Sequence, residues 1–80
     1  MQAVQWLGDN WEDVSDLAGA RFGVIAPEWR DESGATAELW VDARGVYAQL
    51  REGDWIVRAR DGRLEAVEAE RFPLAYGAMA

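Results

Sequence analysis

The chain has 80 residues, half of them hydrophobic, with five Trp and a formal net charge of −7. That length makes one domain, residues 1–80, too apolar to be disordered and small enough to bury only about 60% of the surface it exposes when unfolded. Cys and His are both absent, which excludes a disulfide framework, a Cys- or His-bearing zinc site and a Ser-His-Asp triad, and the acidity argues against direct binding of nucleic acid through its phosphates.

Val4-Gln5-Trp6-Leu7 alternates and predicts a short strand. Gly8-Asp9-Asn10 is a turn, and Asp9 or Asn10 can cap a helix over Trp11–Ala18, which Gly19 ends. Glu12 and Asp13 suit the positive first turn of that helix. Trp11, Val14, Leu17 and Ala18 fall on one face, and Glu12, Asp13 and Asp16 lie away from it. A helix this short must pack on a sheet to hold. Arg21–Ile25 predicts a second strand, and Ala26–Gly34, with Pro27, Trp29 and three acids, predicts a mobile loop.

Thr36–Val41 and Val46–Arg51 read as a hairpin across Asp42–Gly45, with Leu39 and Val41 on one face and Glu38, Trp40 and Asp42 on the other. Asp54–Arg60 and Arg63–Ala69 flank Asp61-Gly62, which suits a two-residue type I′ turn. That turn sets Ala59 opposite Leu64, Val57 opposite Ala66, Arg58 opposite Glu65 and Ile56 opposite Val67. Glu70–Tyr76 can form a helical turn with Pro73 in its first turn, and Gly77–Ala80 is expected to fray. The fold class is therefore α+β: a small twisted antiparallel sheet of about five to six strands, one N-terminal helix on one face and a short C-terminal helical turn.

Candidate chemistry is sparse. The carboxylates Glu12, Asp13 and Asp16 project from a solvated face rather than converging on a metal. Asp61-Gly62 with Glu65 lacks the alternating acids of a calcium loop, and no Gly-x-Gly pattern offers a phosphate cradle. No catalytic residue, metal site or cofactor is expected. Trp6, Trp11 and Trp55 fit core positions. Trp40 and Tyr47 fall on the polar faces of their strands, where they are covered by a second layer, lie in a self-association face, or form a platform for a ligand or partner. Trp29 lies in the loop, either packed there or available for contact. Arg58, Arg60 and Arg63 gather near one hairpin end, as a solvated strand face or as forks for phosphate.

Two stretches resemble a known family. Val4-Gln5-Trp6-Leu7-Gly8-Asp9-Asn10, leading into an acidic helix, is similar to the opening of a widespread family of small tailed-phage and prophage proteins of unknown function. Gly53-Asp54-Trp55-Ile56-Val57, then Gly62, Phe72 and Tyr76, resembles its C-terminal signature. The chain departs from that pattern with Glu52 where Pro is usual, Glu65-Ala66-Val67 where Tyr-Pro-Cys is usual, and Pro73 in the terminal helix. The family has no settled activity, so the resemblance carries over no catalytic residue. It implies a phage or prophage origin and a role in the cytoplasm of the infected cell.

These readings converge on a non-enzymatic accessory protein for host takeover, which binds and blocks or redirects a host protein, such as a defence component. Trp29, Trp40 and Tyr47, with Glu12, Asp13 and Asp16, are its candidate partner-binding residues. Against a nucleic-acid-binding enzyme, the helix acids with Glu28, Asp31 and Glu32 would face the basic groove. Two other readings stay open. One is a sponge for a nucleotide signal, stacking a base on Trp40 or Tyr47 and holding phosphate with Arg58, Arg60 or Arg63. The other is a virion or assembly component. A homo-oligomer would add core to so small a domain. Met1-Gln2-Ala3-Val4 does not look like a signal peptide, and no apolar run approaches the roughly 20 residues of a membrane span. A cytoplasmic location without membrane partners is expected. Arg supplies all eight basic residues, which reads as a GC-rich coding sequence.

Overall fold

The computed structural model describes residues 2–41, 45 and 47–76, with the backbone alone of 75 and 76. The N-terminal alternation produces a strand, β1 (Gln2–Gln5). It sits two residues earlier than expected because it is placed by a distant partner, β5 (Trp55–Arg58), with Gln2 opposite Arg58 and Gln5 opposite Trp55. Backbone pairing continues through Trp6, whose N–H donates to the Asp54 carbonyl at 2.8 Å and whose carbonyl accepts from the Gly53 N–H at 2.6 Å. Leu7 then leaves the sheet and is exposed.

Helix α1 (Trp11–Ala18) has the expected bounds and ends at Gly19. Asn10 is its N-cap residue but makes no side-chain cap. The side-chain amide instead closes the preceding turn, accepting from the Leu7 N–H and donating to the Gln5 carbonyl, both at 2.8 Å. Val14 and Ala18 are buried and Leu17 half-buried, as the stripe requires. Trp11 is 55% exposed rather than in the core. Periodicity sets its azimuth, but the first helical residue stands beyond what the sheets cover.

A single 3-10 turn (Gly19–Arg21) leads to β2 (Phe22–Val24), and a second covers Pro27–Trp29 inside the expected loop. Strands β3 (Ala37–Trp40) and β4 (Tyr47–Leu50) form the expected first hairpin. Most of its turn, including Asp42, lies outside the described residues, as does the tail 77–80. β6 (Leu64–Val67) follows β5, and α2 (Phe72–Tyr76) closes the described chain with Pro73 in its first turn. The class is α+β, and the six strands among the described residues divide into two three-stranded antiparallel sheets, ordered β1-β5-β6 and β2-β3-β4.

The register of the β5–β6 hairpin differs from expectation by one residue: Ile56 opposes Ala66, Val57 opposes Glu65 and Arg58 opposes Leu64. The turn explains it. Asp61 does not adopt positive φ, whereas Gly62 has φ +89, so a type I′ pair cannot form. Gly62 N–H donates to the Ala59 carbonyl at 3.0 Å and Ala59 N–H to the Arg63 carbonyl at 2.9 Å. This is a three-residue loop with glycine in the left-handed position. Arg58 and Glu65 are therefore not opposite one another. A methyl at residue 62 would meet nothing within 4 Å, so Gly62→Ala isolates the backbone cost and is expected to lower stability by about 1–2 kcal/mol, read by urea denaturation.

The core lies between the two sheets, with α1 against β1, β2 and β5. Trp6, Val14, Ala18, Ala37, Leu39, Leu50, Ile56 and Leu64 form it, and Val4, Leu17, Phe22, Val41 and Ala66 pack on it. Trp6 is 1% exposed, lies edge-on to Phe22 with ring centroids 5.2 Å apart, and donates its indole N–H to Thr36 Oγ1 at 2.8 Å. Trp55, on the other face of its sheet, is half-buried and stacked on Phe72 at 3.9 Å.

Candidate functional site

The two stretches that carry the family resemblance meet in space. Besides the backbone bonds between Trp6 and Gly53–Asp54, Gln5 Nε2 donates to the Gly53 carbonyl at 2.9 Å. Gly53 has φ +100, which lets the chain turn from β4 into β5 while keeping both bonds. Asp54 is buried, and its carboxylate accepts the Arg51 N–H at 2.9 Å and the Ala69 N–H at 3.1 Å. All these groups are consumed in joining β1, β4, β5 and the segment after β6. The junction is structural, and the surface available for function lies elsewhere.

Alternation in β3 and β4 turns Ala37, Leu39 and Leu50 inward, so Glu38, Trp40, Tyr47 and Gln49 point out of the β2-β3-β4 sheet. Trp40 and Tyr47 are directly opposite in register. Their rings lie 5.2 Å apart at 49°, and they are 40% and 48% exposed. The pair stabilises the hairpin, yet leaves two large aromatic surfaces in water. Of the readings open from sequence, burial of these two rings under a second layer of the described residues is not what occurs.

Trp29 is 78% exposed. The 3-10 turn that presents it is closed by the Trp29 N–H on the Ala26 carbonyl at 2.9 Å and the Arg30 Nε on the Ile25 carbonyl at 3.0 Å. Trp29 borders a groove of about 330 Å³ lined also by Gly23, Val24, Ile25, Ala26 and Glu38. Glu38 is the strand neighbour of Trp40 on the same face, two residues along β3, or roughly 7 Å. The fold thus places Trp29 beside Glu38, on the sheet that also carries the Trp40–Tyr47 pair, as sequence spacing could not show. Gly23, Val24 and Glu38 are the site residues missed from sequence. The signal for them was the pairing of Gly23 opposite Glu38, which only the β2–β3 register reveals.

The charged candidates lie apart from these rings. Glu12, Asp13 and Asp16 are exposed on the solvent side of α1, with the core and the sheet's thickness between them and the aromatic pair. Asp16 shares a second groove, of about 350 Å³, with Arg21, Arg58, Gly62 and Leu64 at the end of α1. That groove holds Arg58 but neither Trp40 nor Tyr47. Arg63 pairs with Asp61 at 2.8 Å between two exposed side chains, a contact worth little in water, and Arg60 is exposed in the turn. The Arg63 backbone N–H, followed by its charge, holds the Asp61 carboxyl below its ordinary value. The hydroxyl and N–H of Ser33 do the same for Asp31 in the loop, where the Ser33 N–H donates at 2.8 Å.

Among the described residues no group of three or more acidic side chains is placed to hold a metal ion, and no helix is long and apolar enough to cross a membrane. Comparison with protein-family models, curated proteins and solved structures finds no match to this chain.

Proposed function

We propose that this chain is a non-catalytic binding protein of phage or prophage origin that docks onto a host protein in the cytoplasm of the infected cell and blocks or redirects it. The outward face of the β2-β3-β4 sheet is the docking surface, and the observation that carries the reading is the exposed Trp40–Tyr47 pair, with the exposed Trp29 in the groove at Glu38. Interface energy concentrates in such anchors because a large rigid ring releases much water for little lost side-chain entropy. An enzyme reading gains nothing comparable: the buried carboxylate, Asp54, is occupied by two backbone amides. The nucleotide-sponge reading needs the aromatic pair and the Arg cluster in one cavity, and the groove that holds Arg58 offers no aromatic platform.

The test is native mass spectrometry of the chain purified gently from an expressing host, alongside a Trp40→Ala/Tyr47→Ala variant. A host protein bound at fixed stoichiometry to the parent is expected, with affinity reduced about 30-fold or more in the variant, the loss typical of two truncated anchors. Circular dichroism should show both chains folded. Equal binding by the two would remove the aromatic pair from the interface. A small adduct of a few hundred daltons in place of a protein would favour the nucleotide reading.

A further inference from the structure

We infer that the groove between β2 and the Pro27–Trp29 turn receives an arginine side chain of the partner, its guanidinium stacked on the Trp29 indole and paired with the Glu38 carboxylate. This rests on the docking surface proposed above and names what the partner must present at its margin. Of the residues lining the groove, Glu38 alone carries a charge. Among the described residues its carboxylate makes no hydrogen bond or ion pair, although the residue is half-buried.

The reason it is open is specific. Its neighbour across the ladder on the β2 side is Gly23, and a Cβ built there would meet nothing within 4 Å. The missing side chain leaves the flank of Glu38 accessible from above the sheet. Arg30 does not fill it: it does not line the groove, it makes no ion pair with Glu38, and its Nε is bonded to the Ile25 carbonyl. That bond also fixes the base of the turn on which Trp29 stands.

The groove is therefore bordered by the exposed Trp29, by Glu38 with its unpaired carboxylate, and by Val24, Ile25 and Ala26. A guanidinium matches all three: it is planar, stacks on an indole, and forks onto a carboxylate while its methylene stem lies on apolar surface. A compact ammonium would satisfy the charge without the stacking. An anion would be repelled by Glu38, and a purely apolar side chain would cover that carboxylate without pairing it. The net charge of −7 also favours approach of a basic segment.

The probe is N-acetyl-arginine amide, titrated into the ¹⁵N-labelled chain and followed at the Trp29 indole N–H, which a Trp29→Phe spectrum assigns. Saturable movement is expected with a dissociation constant on the order of 10 mM, appropriate to one side chain. The uncharged isostere N-acetyl-citrulline amide should bind at least about tenfold more weakly, and Glu38→Gln should weaken the arginine probe about fivefold. Gly23→Val should abolish its binding by filling the groove. Valine suits a strand and meets no neighbour at Cβ, so the fold should persist; Trp29→Ala, followed at the backbone N–H signals of Val24 and Glu38, should give the same loss by a second route. An unmoved Trp29 signal, or citrulline binding as well as arginine, would overturn the assignment. Such a failure would leave the Trp40–Tyr47 reading standing. Conversely, a Trp40→Ala/Tyr47→Ala chain that fails to hold a host protein should still take up the arginine probe.

Discussion

Trp6→Ala is expected to remove a large share of the chain's stability. Trp6 is the largest fully buried side chain among the described residues, and truncating a buried Trp costs about 3–5 kcal/mol. A domain of this size holds only about 4–12 kcal/mol in total, at roughly 0.05–0.15 kcal/mol per residue. The loss is compounded by position. The ring touches Phe22 from the β2-β3-β4 sheet, its N–H is tied to Thr36, and its backbone belongs to the junction with Gly53 and Asp54. One side chain thus links the two sheets. Trp6→Phe keeps most of the apolar contact and removes the indole donor, leaving Thr36 Oγ1 without it, and should cost less, about 1–3 kcal/mol. Urea denaturation followed by circular dichroism measures both. A Trp6→Ala chain within about 1 kcal/mol of the parent would show that the core closes without this residue.

Asp54→Ala should be the second most damaging change, at about 2–4 kcal/mol, because it strands two backbone N–H groups at once. The Arg51 and Ala69 amides both donate to this carboxylate, and they come from the segments before β5 and after β6, which meet at the open end of the hairpin. Asp54→Asn retains one carbonyl acceptor and turns an NH₂ toward the other amide, so it should fall between Ala and the parent. Hydrogen exchange reads the effect locally: the protection of Arg51 and Ala69 should drop together in Asp54→Ala. Unchanged protection at both would mean that other acceptors satisfy them. A binding measurement on a destabilised Asp54 variant would report folding, which is why the docking surface is tested at Trp40, Tyr47, Trp29, Glu38 and Gly23 instead.

Much of the local structure was legible before the fold. The α1 stripe and its ending at Gly19 follow from short-range spacing and one glycine, and the β3–β4 hairpin follows from alternation that tertiary packing does not contradict. Where expectation and structure part, the decision was made by contacts that hydrophobic pattern and capping preference do not encode. Asn10 looked like a helix cap, but the Gln5 carbonyl and Leu7 N–H claimed its amide. Trp11 lies on the right stripe but past the end of its cover. The β5–β6 register could not be settled by alternation, because Ile56 and Val57 are adjacent, apolar and both buried. The central strand of the β1-β5-β6 sheet is covered on both faces, and that removes the period-two signal that would have betrayed the slip.

The candidate site divides the same way. Alternation alone places Trp40 and Tyr47 on a face away from Leu39, because side-chain direction in a strand is a local property. Whether that face is covered is not local, and it took the arrangement of both sheets and α1 to leave the rings in water. Trp29 and Glu38 share a groove only because β2 pairs with β3 at Gly23 and the Pro27–Trp29 turn folds back over that edge. Likewise β1 joins β5 across some fifty residues, and the six strands part into two sheets. The sequence by itself determined the α+β class, the helix, the hairpin partners and the absence of His and Cys chemistry, since these depend on composition and on neighbours within a few residues. Only the tertiary structure decided sheet membership, the registers of β1 on β5 and β2 on β3, and exposure. These depend on which distant segments meet, and the cost of closing such long loops leaves no trace in local pattern.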